Sequence, residues 1–412
     1  MERQFTLGLA GTALIAAALV ACRDTVQPVG STPDVAAGPA GRVTCIDYSG
    51  LPLDDCTHGF RLTNGVAQEI LPSGVTTLSL TLPNPLTRPQ PGPFTPIDLG
   101  SPGERSRATG INARGQVAGW RIDAEGNLRA FLWEDGALTD LGTLGGTFSI
   151  ALALNDRGQV VGSSRLADGS IRAFLWENGT MTDLGTLDGG WLSGAFAINN
   201  LVQVTGWSVY CSTCSANERH AFLWDNGTMT DLGVGTFSEG YGVNVRSQVV
   251  GRSSGFGAFL WEAGTITRLG TLGGVQSEAK GINDRRQVVG WSTLPGNFPF
   301  HAWLWDDGTM TDLGTLPDGG GSVAYAVNAP GQVVGVSGPG VNTQVPASGR
   351  AFLWQGGAMT DLGTLGGENS VAFGINAPGL MVGESQLASG EVHATLWTAA
   401  VQAHVPVLAG VP

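Results

Sequence analysis

Residues able to do chemistry recur in this chain at one fixed spacing. A base stands at Arg129, Arg172, His220, His301, Arg350 and His393, and eleven positions further on lie Asp140, Asp183, Asp231, Asp312, Asp361 and His404. A His–Asp pair could move a proton, but the recurrence argues for architecture. The one internal copy that lacks the base, at Gly257, also lacks the acid and carries Arg268 instead. With a two-residue turn between two strands, positions eleven apart are diagonal neighbours on one face of a hairpin. The pairs therefore read as structural cross-strand contacts, and a functional ring of His or Asp is the sharper alternative.

Other reactive side chains are less regular. Cys211-Ser-Thr-Cys214 with His220 after it has the ligand types of half a metal site, but one CxxC without a second pair reads better as a loop disulfide. Asp306-Asp307-Gly308 falls on a repeated hairpin turn and is no calcium loop. The acids outside the repeated positions, Asp168, Asp188, Glu239, Glu278, Asp318, Glu368 and Glu384, read as scattered among loops. An enzyme calls for an isolated carboxylate pair or a nucleophile with its base. No catalytic residue, metal ligand or cofactor is assigned.

The elements that carry these residues repeat in one order. The second copy is plain: 151–155, then Gln159-Val160-Val161-Gly162, then Arg172-Ala173-Phe174-Leu175-Trp176, then 180–185. These are four short strands. Asn155-Asp156-Arg157-Gly158 fits a type I turn closed by a left-handed Gly, and Asn178-Gly179 fits a two-residue turn with positive φ. The Asn recurs at 112, 155, 199, 244, 283, 328 and 376, and the Trp at 133, 176, 224, 261, 305, 354 and 397, so there are seven units. A four-stranded unit cannot bury its own Phe and Trp and must stack on its neighbours. Each buried aromatic supplies on the order of 4–6 kcal/mol as an area-based upper bound. The expected fold is all-β, a β-propeller of seven four-stranded blades; an open β-solenoid is the competitor. In the last copy His393 would meet His404 if residues 401–405 made a fourth strand. The orphan strand at 96–100 offers a better closure, pairing with Leu396-Trp397 and setting Asp98 against His393.

Tight a–b and c–d turns leave the variable b–c and d–a loops on the opposite face, where function is expected. Trp120, Trp207 and Trp291 begin those b–c loops, and Trp191 lies in a d–a loop. Exposed, the four would stack on sugars or anchor a protein partner; the alternative is packing between blades.

Bulk composition agrees with a turn-rich β protein: 64 Gly among 412 residues and only 13% charged residues. The net charge is −13 and Lys280 is the single lysine, which excludes the basic surface that nucleic acid needs. The N-terminus reads as an export signal over residues 1–21 that ends at Leu19-Val20-Ala21-Cys22, a lipobox-like site with Cys22 as the acylated residue. An ordinary signal peptide or signal anchor is the alternative. Arg23 stands where an inner-membrane retention Asp would, so the expected place is the outer membrane or cell surface. A tether over 22–42, a small β-rich segment over 43–82, a Pro-rich linker over 83–93 and the repeats over 94–412 complete the order. In an oxidising compartment the remaining Cys45, Cys56, Cys211 and Cys214 suggest sequence-local disulfides, 45–56 and 211–214.

The repeat resembles the HAF family of extracellular repeats. The name-giving His-Ala-Phe stands at His220-Ala221-Phe222 and, with Trp for Phe, at His301-Ala302-Trp303; the Gln-Val-Val-Gly, Phe-Leu-Trp and Thr-Asp-Leu-Gly blocks accompany it over about residues 97–400. Thr395 and Arg268 depart from the pattern. The resemblance implies an extracellular repeat protein and transfers no catalytic residue. The functional expectation is a surface binding or scaffold module contacting protein or glycan through the variable-loop face, held to the membrane by its lipid; the alternative is a carbohydrate-active hydrolase or lyase with acids on that face.

Overall fold

In the computed structural model, the described residues are 94–399, except 101–102, 217, 297, 318, 340 and 342–348, together with four short strands nearer the N-terminus. The local signals act as their chemistry dictates. At the a–b turn of the second unit, Gly158 N donates to Asn155 O and Asn155 N to Gln159 O, both at 3.0 Å, with Gly158 at φ 79°. In the third, fourth and fifth units Val202, Ser247 and Arg286 hold the same left-handed position, so the turn survives there without its usual Gly. At the c–d turn Asn178 and Gly179 take φ 50° and 83°, and Glu177 pairs with Thr180.

The second blade shows the plan: strand a is Gly145–Leu154, b is Val160–Leu166, c is Ile171–Glu177 and d is Thr180–Asp183, all antiparallel and in chain order. Six blades are continuous in the chain, and their a strands begin at Ser106, Gly145, Ser193, Ser238, Ser277 and Gly321. The seventh is composite: Gly366–Ile375, Met381–Leu387 and Val392–Ala399 are completed by Phe94–Asp98 from the start of the ring. Leu396 pairs with Ile97 and Trp397 with Pro96, the closure expected from the orphan strand. The protein is a seven-bladed β-propeller. His404, the rival partner, lies outside the described residues.

Every a strand touches the a strand of the next blade, so these strands form the inner ring. Each carries a bulge near its middle, as between Ala151 and Ala153, which bends the strand locally. The Gly of Val-Val-Gly lies against this region: a Cβ at Gly162 would collide with the Ile150 carbonyl. The core lies between blades. Phe174 of the second blade packs with Ala118, Ala130 and Leu132 of the first, and Phe222 of the third with Val161 and Ala173 of the second. Both Phe side chains are fully buried, and truncating one costs about 3–5 kcal/mol. This stacking is the interaction that no single unit could make.

Residues up to Arg88 form a separate unit. Its strands Val20–Ala21, Thr44–Ile46, Gly59–Thr63 and Val66–Ile70 pair antiparallel in chain order. The acylation expected at Cys22 and the disulfide expected between Cys45 and Cys56 lie outside the described residues.

Candidate functional site

The antiparallel meander puts the a–b and c–d turns at one end of the ring axis and the b–c and d–a loops at the other. At the turn end the repeated Asn residues form a closed circle. Asn112 Nδ2 donates to Asn155 O, Asn155 to Asn199 O, and so on through Asn244, Asn283, Asn328 and Asn376, which returns to Asn112 O; the seven bonds span 2.8–3.2 Å. In the second blade the Asn155 Oδ1 accepts from Arg157 N and Gln159 N, and Nδ2 also donates to Gln159 Oε1. The side chain is thus satisfied in full. Together with apolar residues such as Ile198 and Val243, the circle lines an axial recess of about 240 Å³, with Asp156, Asn200 and Asp284 at its rim. Those rim groups also bond within the ring: Asp156 accepts from Ala113 N and Asn200 Nδ2, and Asp284 from Val245 N.

Toward the loop end the inner wall is charged. Glu239 and Glu278, from neighbouring blades, share Arg252 at 3.0 and 2.9 Å; Arg219 reaches Glu239 at 2.8 Å and Lys280 reaches Glu278 at 2.6 Å. The Tyr241 hydroxyl donates to Glu239, and Lys280 Nζ lies 4.0 Å from the centre of the Tyr241 ring. Where blades 1 and 7 meet, Arg107 grips Glu384 through two 2.7 Å bonds. These acids are therefore buried strand residues and not loop residues, which corrects the expectation for Glu239, Glu278 and Glu384. Burial raises a carboxyl pKa, yet Arg219 and Arg252 hold Glu239 below its ordinary value. Burial lowers the Lys280 ammonium despite Glu278 beside it, and it raises the Tyr241 hydroxyl. Removing either partner from such a pair would strand a buried charge at a cost of about 3–5 kcal/mol.

The four candidate Trp residues divide. Trp120, Trp207 and Trp291 are buried, at 0%, 1% and 4% exposure, so they cannot stack on an external ligand. Trp120 instead lies under the Arg105 and Arg107 guanidiniums, Trp207 under Arg219, and Trp291 Nε1 donates to Glu278. They stand on strand b and not in the loop after it, and they are packed inside the propeller. Trp191 is the exception at 40% exposure. Its Nε1 donates to Cys214 O at 3.0 Å, and its own carbonyl accepts from Arg172. Cys211 and Cys214 are joined as a disulfide, as the spacing suggested. Tyr210, adjacent to Cys211, stacks on His220 with ring centres 4.2 Å apart. Phe298 and Val275, at 73% and 72% exposure, are further apolar residues on loops of this end that sequence reasoning did not single out.

The base–acid pairs are cross-strand contacts. His220–Asp231, His301–Asp312 and Arg350–Asp361 stand at 2.6, 2.9 and 3.1 Å, and Arg172–Asp183 at 3.9 Å. The first blade departs: Arg129 takes Asp123 at 3.0 Å, leaving Asp140 4.0 Å from Arg121. The Asp has a second task, since Asp183 Oδ1 accepts from Gly185 N at 2.8 Å and fixes the turn after strand d. Where the pair is missing, Arg268 stacks on Phe256. Among the described residues no three His, Cys, Asp or Glu side chains converge to hold a metal.

No protein-family model and no curated protein matches the chain. Solved structures do resemble it. The β-propeller domain of the Trilobed protease from Pyrococcus furiosus is 9% identical with a TM-score of 0.47, over 74% of this chain and 99% of that one. The acylaminoacyl peptidase of Pyrococcus horikoshii is 10% identical with a TM-score of 0.47, over 71% of this chain and 51% of that one. A gluconolactonase from Xanthomonas campestris is 11% identical with a TM-score of 0.38, over 74% of this chain and 88% of that one. At such identities the likeness is of fold alone.

Proposed function

We propose that this propeller is an extracytoplasmic binding module of the HAF-repeat type, carried at the outer membrane or cell surface on a lipid at Cys22, and that its variable-loop face takes a glycan. The observation that carries this reading is Trp191. It is a half-exposed indole on that face whose ring is held by the carbonyl of a disulfide-closed loop, and a fixed aromatic face presented to solvent is what sugar rings stack on. The oxidised Cys211–Cys214 pair fits an extracytoplasmic compartment. The alternative, a hydrolase or lyase, needs two carboxylates flanking a sugar in a polar pocket; the ion pairs of Glu239, Glu278 and Glu384 support binding instead.

The test is a glycan array probed with the full chain and with Trp191→Ala. Capture by wild type that the variant loses, at an unchanged melting temperature, is the expected result. Equal capture by both proteins overturns the role of Trp191.

A further inference from the structure

The charged inner wall is unevenly neutralised. Arg105, Arg107, Arg219, Arg252 and Lys280 face three carboxylates, Glu239, Glu278 and Glu384, in a chain whose overall charge is −13. The excess is most local at the seam of blades 1 and 7. There Arg107 occupies both oxygens of Glu384, and Arg105 lies beside the pair with no ion pair or side-chain hydrogen bond of its own among the described residues. Its guanidinium sits 5.9 Å from the Trp120 ring centre, on the ring that Arg107 also approaches at 5.3 Å. Arg105 Nε is sealed from solvent and unpartnered, while the residue as a whole is part-exposed. Arg121 and Arg286 have the same sealed Nε, but each has a carboxylate, Glu104 at 3.0 Å and Glu262 at 3.6 Å.

Arg105 immediately precedes strand a of the first blade, Ser106–Ile111, which places it at the loop end of the axis. Two guanidiniums against one carboxylate leave one positive charge, pre-positioned on an aromatic floor and partly withdrawn from water. A part-buried guanidinium gains most from a planar, singly charged acceptor that takes two parallel N–H bonds. We propose that this end of the axis binds a carboxylate-bearing ligand through Arg105. The site is separate from Trp191 and stands or falls without it.

The test is calorimetric titration of the full chain with sodium glucuronate, sodium acetate and glucose at constant ionic strength. Saturable heat with glucuronate and none with glucose is expected. Acetate binding as tightly assigns the site to simple carboxylates, and weaker acetate binding assigns it to a sugar acid. Arg105→Gln should lower the affinity by about fivefold or more. Arg165→Gln, which removes another arginine with a sealed and unpartnered Nε, should bind as wild type, and so should Trp191→Ala. Arg105→Lys keeps the charge and should bind with intermediate affinity, which holds the test open if the Gln variant folds poorly. Absence of saturable binding by either carboxylate, equal binding of glucose, or a smaller loss in Arg105→Gln overturns the proposal.

Discussion

The Asp98 carboxylate lies 2.9 Å from His393 Nδ1, although 295 positions of chain separate the two residues. It is the same contact that Asp231 makes with His220 inside the third blade, rebuilt from opposite ends of the ring. Around it, Leu99 N donates to Ala394 O and Asn376 to Asn112 O, so the seam is bonded from the outer edge to the axis.

Deleting residues 94–100 removes that outer strand and leaves Val392–Ala399 as an open edge. The melting temperature should fall by about 10 °C, corresponding to several kcal/mol of lost ladder and packing. Scanning calorimetry of the deletion variant measures this, and an unchanged transition would refute the closure as a stabilising element.

Asn155→Ala would leave Arg157 N, Gln159 N and Gln159 Oε1 without that partner and would take one of two donors from the Asn199 carbonyl, which keeps Val202 N. A loss of about 2–4 kcal/mol is expected from these unsatisfied buried groups, read as a lower urea midpoint at an unchanged slope. Ligand capture at the loop face should not change.

Glu239→Gln leaves Arg219 and Arg252 short of a buried partner and should cost about 3–5 kcal/mol at neutral pH. The folded pKa of Glu239 lies below its ordinary value of 4.5, so its contribution is fully present above that value and fades as pH falls through the lower, folded one. The stability gap between wild type and variant should therefore be constant near neutrality and shrink in acid. Calorimetric melts of the two proteins across that range provide the comparison; a gap that widened in acid would contradict the pairing.

Reducing the 211–214 disulfide frees the carbonyl that positions Trp191 while leaving the blades intact. Tryptophan emission should shift to the red and glycan capture should weaken, with global melting changed by no more than a few degrees, because the bridge closes a very short loop. Fluorescence with and without dithiothreitol separates this from a global loosening.

The blades were legible in the sequence because their signals are local. Asn155 to Gly158 and Asn178-Gly179 write turn geometry directly, and the spacing of His220 and Asp231 follows from the hairpin between them. Even the closure could be inferred, since 96–100 was a strand without a hairpin partner. The inner wall was misread because the repeats were compared for what they share. Aligning the units on the Ser of strand a at 106, 149, 193, 238, 277, 322 and 370 gives Arg107, Ile150, Gly194, Glu239, Glu278, Val323 and Val371 in one column, and such mixed chemistry at one place is the available sign of a network. Trp120, Trp207 and Trp291 follow the Gly of strand b directly, a position that in sequence fits either an exposed face or packing between blades; their burial decides for packing.

The circle of Asn side chains has one further consequence. Each passes its amide to the next blade in the same rotational sense, and the link from Asn376 to Asn112 does not differ in kind from the other six. At the axis the molecule carries no mark of where its chain begins. Circular permutants opened at another blade boundary, with residues 94 and 399 bridged by a linker, should therefore assemble the same wheel.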